Sequence, residues 1–171
     1  MAMMTSAYAN KLIKKLQEDK NFWRTKESEG CTYVAAVDEE PVIPEYDYEA
    51  VAAEISMIDS KVAVIKHAIN VNNVTNRIPV GDAEMTVDEV LVRMAQLNQR
   101  KTVLDYLRKI EPKKRMNTSI YSARKPAAEY QYINYDLDLV KKEYEEIDAL
   151  IAQMQISLDK YNQTFEFEVP V

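Results

Sequence analysis

The sequence predicts a mainly all-α fold, with long antiparallel helices packed as a coiled-coil-like bundle and scope for a small β element near one end. Three observations lead there. Two stretches carry apolar residues in strict alternating steps of three and four, a third stretch carries a looser version, and the chain holds only two glycines. Such spacing averages about 3.5 residues and keeps one stripe turned towards a partner helix. Scarce glycine disfavours a chain of many tight turns.

Taken in order, a first helix is predicted over residues 6–28, with Tyr8, Leu12, Leu16 and Trp23 on one side. Asp19 or Lys20 falls where that side needs another apolar residue. Tyr33–Val37 is apolar and extended in character, and residues 38–46 form an acidic linker in which Pro41 and Pro44 disfavour helix. The second helix, 47–76, opens at Asp47 as N-cap and carries the clearest stripe: Tyr48, Val51, Ile55, Ile58, Val62, Ile65, Ile69, Asn72 and Asn76. Residues 77–85, with Pro79 and Gly81, make a turn.

The third helix, 86–111, starts with a capping box of Thr86 and Glu89. Its apolar face is Val87, Val90, Leu91, Met94, Leu97, Leu104, Leu107 and Ile110, interrupted by Lys101 and stopped by Pro112. The last helix, 136–163, repeats the strict alternation through Leu137, Val140, Tyr144, Ile147, Ile151, Met154, Leu158 and Tyr161. Tyr130–Tyr135 and Thr164–Val169 alternate as strands do, and a small sheet would pair such segments. The whole of 1–171 reads as a single helical domain.

Burying a Val, Leu or Ile is worth ~1.5–3 kcal/mol. An eight-residue stripe left in water therefore forgoes well over ~10 kcal/mol. The stripes must meet each other, the other helices or another copy of the chain. A homo-oligomer is expected, with a two-fold dimer favoured because it is the commonest closed symmetry.

Composition excludes several functions. Gly30 and Gly81 are the only glycines, so no Walker loop, dinucleotide-binding turn or nucleophile elbow can be built. His67 is the only histidine, which removes zinc sites of the His-Glu-x-x-His kind. Cys31 is the only cysteine, which rules out an internal disulfide and fits a reducing cytoplasm. The net charge of −6 weighs against wholesale nucleic-acid binding. No apolar run approaches the roughly 18 residues that span a bilayer, and the first ten residues lack the pattern of a cleaved signal. No catalytic residue, metal or cofactor is assigned.

Three clusters remain as candidate sites. Lys113, Lys114, Arg115, Arg124 and Lys125, with Lys109, gather after the third helix as a patch for phosphate or nucleic acid, with Tyr121 and Tyr130 near enough in sequence to stack on bases. The plainer reading is a solvated loop complementing a helix C-terminus. Glu143, Glu145, Glu146 and Asp148 offer i, i+3 carboxylate pairs for magnesium, against an exposed acidic face. Asn70, Asn72, Asn73 and Asn76 crowd the end of the second helix, where they either fix register or line a polar pocket. His67 reads as a boundary histidine and Cys31 as a small apolar filler.

Ile69-Asn70-Val71-Asn72-Asn73-Val74-Thr75-Asn76, followed by Gly81 and the helix start at Thr86, resembles the bacterial septicolysin-like family. The last helix is similar to that family's C-terminal signature through Tyr144-Glu145-Glu146-Ile147-Asp148 and Ile151. The likeness spans Tyr8 to Glu111 and Glu129 to Ile156. This chain departs from the family at Asn72 and Asn76, where threonine is usual, at Met94-Ala95, which replace an Arg-Asp pair, and at Gln155-Ile156, which replace Asn-Trp. The resemblance implies a cytoplasmic helical protein without an assigned reaction. The family's name suggests a cytolysin, but this sequence shows neither a secretion signal nor a membrane-inserting run.

The leading functional expectation is a non-enzymatic, self-associating helical protein that presents an interaction or scaffold surface to a protein partner. The alternatives are an anion or nucleic-acid binder through residues 109–125 and a magnesium-dependent hydrolase through residues 143–148.

Overall fold

The computed structural model describes residues 1–116 and 128–170. The fold is mainly α, with four helices and three small two-stranded sheets among the described residues. The chain groups into two compact units, Met1–Ile78 with Leu158–Val171, and Pro79–Ser157. Each is taken by itself.

The first unit starts with β1 (Ala2–Thr5), which leads directly into α1 (Ser6–Gly30). Thr5 caps the helix, its hydroxyl accepting from the Tyr8 N–H at 3.2 Å. The side of α1 turned inward is Ser6, Ala9, Ile13, Leu16, Lys20, Trp23, Glu27 and Gly30, all buried or half-buried and all spaced by three and four. Tyr8, expected inside, is 58% exposed. Leu12, Leu16 and Trp23 of the expected face are half-buried, and the positions that periodicity passed over, Lys20, Glu27 and Gly30, carry no apolar signal.

α2 (Tyr48–Thr75) returns antiparallel to α1, capped by Asp47, whose carboxylate accepts from the Ala50 N–H at 3.1 Å. Its expected stripe is the buried one from Val51 to Asn76, while Tyr48 at the end is exposed. Two features set the pairing. Lys20 runs its stem along the seam and places its ammonium 2.6 Å from the Asp59 carboxylate. At the far end, a Cβ on Gly30 would lie 2.7 Å from the Tyr46 Cβ, so only glycine permits that approach. The linker 38–46 has no helix or strand, as expected, and neither has Tyr33–Val37, which is exposed.

β6 (Glu166–Val169) pairs antiparallel with β1, Ala2 opposite Val169 and Thr5 opposite Glu166. Alternation sends Phe167 and Val169 inward to join Met4, Ala9, Ile13 and Ile65 in one core cluster. The expected strand near 164–169 is therefore present. It pairs with the N-terminal strand, not with the segment near 130–135, because Ala-Met-Met-Thr alternates too weakly to announce itself.

The second unit is organised by α3 (Val87–Leu107) and the part of α4 (Leu137–Thr164) that precedes Leu158. β2 (Arg77–Val80) and β3 (Ala83–Thr86) form a two-stranded sheet, joined by Gly81 and Asp82 where a plain turn was expected. Gly81 has φ +61°, as a hairpin with glycine first in a two-residue loop requires. The capping box is present: the Glu89 N–H donates to Thr86 Oγ1 at 3.1 Å and the Thr86 N–H to Glu89 Oε2 at 2.7 Å.

Val87, Val90, Leu97 and Leu104 are buried in α3, whereas Leu91, expected with them, is 42% exposed. Lys101, the interruption, is half-buried in the stripe and forms an ion pair with Asp148 of α4. α3 stops four residues before the expected 111. The Leu107 carbonyl accepts from the Tyr135 hydroxyl at 2.6 Å and from the Ile110 N–H at 3.2 Å, so the chain tightens and leaves the helix. β4 (Lys113–Arg115) and β5 (Tyr130–Tyr132) then pair antiparallel, and Asp136 caps α4 through the N–H groups of Asp138 and Leu139.

Two substitutions test this packing. Ile65→Ala removes a side chain with no exposed surface and is expected to cost ~2–5 kcal/mol in chemical denaturation. Thr86→Ala removes the capping box and is expected to cost about 1 kcal/mol.

Candidate functional site

Of the four candidate asparagines, the fold brings two together. Asn72 occupies a seam position near the end of α2 and is buried, and Asn76 follows one turn later as the C-cap residue. Asn72 Oδ1 accepts from Asn76 Nδ2 and from the Tyr161 hydroxyl, both at 2.9 Å. The Asn76 backbone N–H and side-chain amide also donate to the Asn72 carbonyl, at 3.1 and 3.0 Å. Asn72 Nδ2 is buried with no hydrogen-bond partner. Asn70 is exposed and Asn73 half-buried, and neither joins this network.

The tyrosine was legible as a seam residue but not as a partner. Tyr161 is 8% exposed and stacks on Phe165 with ring centroids 4.8 Å apart. Burial pushes its hydroxyl above the usual phenolic range, and the bond to Asn72 offsets part of that. The signal that could have found it is chemical. A buried tyrosine at the last position of a seam needs an acceptor, and Asn72 is the polar residue at the equivalent end of the other seam.

A groove of about 780 Å³ opens beside this network, between α2 and β6. One wall is Val64, Ala68, Val71 and Thr75 of α2, with His67 at the edge. The other is the strand segment from Phe165 to Glu168. Asn72 and Asn76 belong to the lining. His67 is exposed, so it edges a cleft instead of joining a cluster of bases.

The basic candidates divide. Lys113 and Arg115 of β4 stand opposite Tyr132 and Tyr130 of β5, and Lys113 Nζ lies 4.4 Å from the Tyr130 ring centroid. Lys114 instead lines a second pocket of about 500 Å³ with Tyr106, Lys109 and Tyr135. Lys109 is already paired with Asp105 at 2.5 Å. Arg124, Lys125 and Tyr121 lie outside the described residues.

The acidic cluster on α4 is engaged by cations. Glu143 takes a forked pair of bonds from Arg100 at 2.8 and 2.9 Å, Asp148 takes Lys101, and Glu146 lies 3.8 Å from Lys142. Among the described residues, no three His, Cys, Asp or Glu side chains form a group that could hold a metal ion. Cys31 is exposed just past α1, so the expected buried filler is not what the structure places there. Its N–H completes the helix end through the Glu27 carbonyl at 3.0 Å.

No family model matches this chain, and no curated protein matches it either. A crystal structure of a functionally unknown conserved protein from Corynebacterium diphtheriae is similar, with a TM-score of 0.64 over 98% of this chain and 100% of that one. At 14% sequence identity the likeness shows a shared mainly helical fold with small β elements. No helix among the described residues is long and apolar enough to cross a membrane.

The Arg100–Glu143 fork has a pH signature. The hydrogen bonds from Arg100, helped by its charge and opposed by burial, hold the Glu143 carboxyl below its usual range. The pairing therefore contributes fully above the unfolded glutamate value of about 4.3 and fades as pH falls through the lower folded value. Both groups are well exposed, so salt screens the effect. Glu143→Gln is expected to flatten the acid side of the melting temperature–pH curve, and molar salt to narrow the gap from wild type.

Proposed function

We propose that this chain is a non-enzymatic helical protein of the cytoplasm that associates with copies of itself and so serves as an interaction module. The observation that supports it most is a second stripe on α2. Ala50, Ala53, Met57, Ser60, Val64, His67, Val71 and Val74 follow the same three-four steps as the buried seam but lie on the opposite side. Every one of them is exposed, and none is an acidic or basic side chain other than the single histidine.

The stripe runs about 36 Å along the helix. A helix apolar on both sides belongs to an interior, and an exposed apolar ribbon of this kind marks an interaction surface. Its flank favours a second copy as the partner. Glu54 and Lys61 sit one heptad apart on the same edge, and neither has an ion-pair partner among the described residues. Antiparallel two-fold pairing of α2 with another α2 sets Glu54 of each copy towards Lys61 of the other and covers the stripe from Ala50 to His67. The likeness of Ile69–Asn76 and Tyr144–Asp148 to the septicolysin-like family, which has no assigned reaction, fits the same reading.

One observation favours anion binding as a second reading. The β4–β5 hairpin gathers Lys113, Arg115, Tyr130 and Tyr132. Charge reversal at Lys113, Lys114 and Arg115 is expected to abolish salt-sensitive nucleic-acid binding if that face is used. The magnesium reading has less support, since three of its four carboxylates, Glu143, Asp148 and Glu146, face Arg100, Lys101 and Lys142.

Sedimentation velocity across a range of concentrations tests self-association. Wild type is expected to sediment as an oligomer. The double substitution Ala53→Glu with Met57→Glu, which puts four like charges into a paired interface, is expected to leave a folded monomer whose helical circular dichroism is unchanged and whose melting temperature no longer depends on concentration. A wild type that stays monomeric at every concentration removes the proposal.

A further inference from the structure

We propose that the pocket beside β5 is a docking site for the acidic proline segment of the 38–46 linker, supplied by another copy of the chain. The contact extends the self-association reading but uses no residue of the α2 stripe, so the two stand or fall separately. Residues 38–45 read Asp-Glu-Glu-Pro-Val-Ile-Pro-Glu, with four carboxylates and no lysine or arginine. The prolines fix their own φ at about −65° and turn the residue before each of them away from helix. The segment is therefore extended before it binds, and docking costs it little conformational freedom. Its apolar side chains lie open in its own chain: Val42 is 90% exposed and Ile43 63%. None of its carboxylates is in an ion pair among the described residues.

The pocket of about 500 Å³ after α3 and around β5 has the matching surface. Tyr106, Tyr132 and Tyr135 make its aromatic part. Tyr135 is fixed by its hydroxyl bond to the Leu107 carbonyl at 2.6 Å, while Tyr106 and Tyr132 are 69% and 61% exposed. Segments with prolines three apart dock in aromatic-lined grooves, because a preformed extended turn sets its rings against flat aromatic faces. Pro41 and Pro44 have that spacing.

Charge decides the occupant. Lys109 and Lys114 line the pocket, and Lys113 and Arg115 belong to the same strand as Lys114. Against these four cations stand Glu111 of the lining and Asp105, the partner of Lys109. The local balance is positive, so an acidic segment is attracted there. A nucleic acid would meet the same cations, but the two carboxylates and the overall charge of −6 oppose a long polyanion more than a segment of four charges. The contact joins unlike surfaces and so links copies head to tail. Its small area makes it weak, and titration detects it better than the sedimentation that tests the α2 pair.

The probe is a synthetic peptide of residues 36–47. It is titrated into isotope-labelled wild type and into the Ala53→Glu, Met57→Glu chain, followed by amide nitrogen–proton correlation spectra. In both proteins, saturating shifts are expected at residues 106–114 and 131–135. A peptide with Pro41→Ala and Pro44→Ala is expected to bind at least about fivefold more weakly. Lys114→Glu and Tyr106→Ala, at exposed positions, are each expected to weaken the unaltered peptide at least about fivefold without changing the helical circular dichroism. In the intact protein without peptide, the same resonances are expected to move as protein concentration rises. Val42→Ser with Ile43→Ser is expected to hold them still.

Peptide binding at these residues supports the site even where wild type sediments as a monomer, which separates its failure from that of the α2 pair. Resonances unmoved by the peptide in both proteins overturn the proposal, and so does a proline-free peptide that binds as tightly. A deoxythymidine oligonucleotide that shifts them at lower concentration than the peptide overturns it in favour of nucleic acid.

Discussion

Lengthwise burial of residues spaced by three and four is the constraint on which the rest of this structure depends. In the first unit it joins α1 to α2, from Ile13 and Ile65 at one end to Gly30 and Tyr46 at the other. Each seam also contains a lysine that periodicity alone would reject. Lys20 and Lys101 keep their stems in the stripe and pass their ammonium groups to Asp59 and Asp148 of the facing helices. A lysine can do this because its four methylenes pack as hydrocarbon while its charge reaches the edge of the interface. Such pairs add little stability where they are solvated. Their effect is on register, since a stripe slipped by one turn would leave the carboxylate out of reach.

The polar network at the end of α2 follows from the same geometry. Asn72 sits where the seam would otherwise hold an apolar side chain, and Tyr161 is the last seam residue of its own helix. Their hydrogen bond at 2.9 Å places an amide and a phenol inside the first unit, beside the β1–β6 sheet. β6 then continues from α4 and forms one wall of the groove. The groove is thus a by-product of closing a helical pair with a two-stranded sheet: strand and helix cannot meet along their full lengths.

α2 carries apolar residues on two opposite sides, and only one of these is used within the chain. That asymmetry explains why its seam was so easy to see and its second stripe so easy to miss. Alanine, serine and histidine at Ala50, Ala53, Ser60 and His67 dilute the signal, although burial shows the positions to be equivalent in spacing. The acidic residues of α4 went the other way. As a cluster in sequence they suggested a metal site, whereas in space each of Glu143, Glu146 and Asp148 faces a cation.

By itself the sequence determined the helical class, the α2 and α4 seams, the Asp47 and Thr86 caps and the strand character near 166–169. Each is local: spacing along one helix, a side chain reaching a backbone N–H three residues on, or alternation within one strand. The tertiary structure alone decided that Tyr8 lies outside and Lys20, Glu27 and Gly30 inside on α1, the early end of α3 at Leu107, the partners of the strands and the meeting of Asn72 with Tyr161. These depend on groups far apart in the chain, such as Tyr135 and the Leu107 carbonyl. Which donor meets which acceptor across such a separation is set by packing, and periodicity carries no record of it.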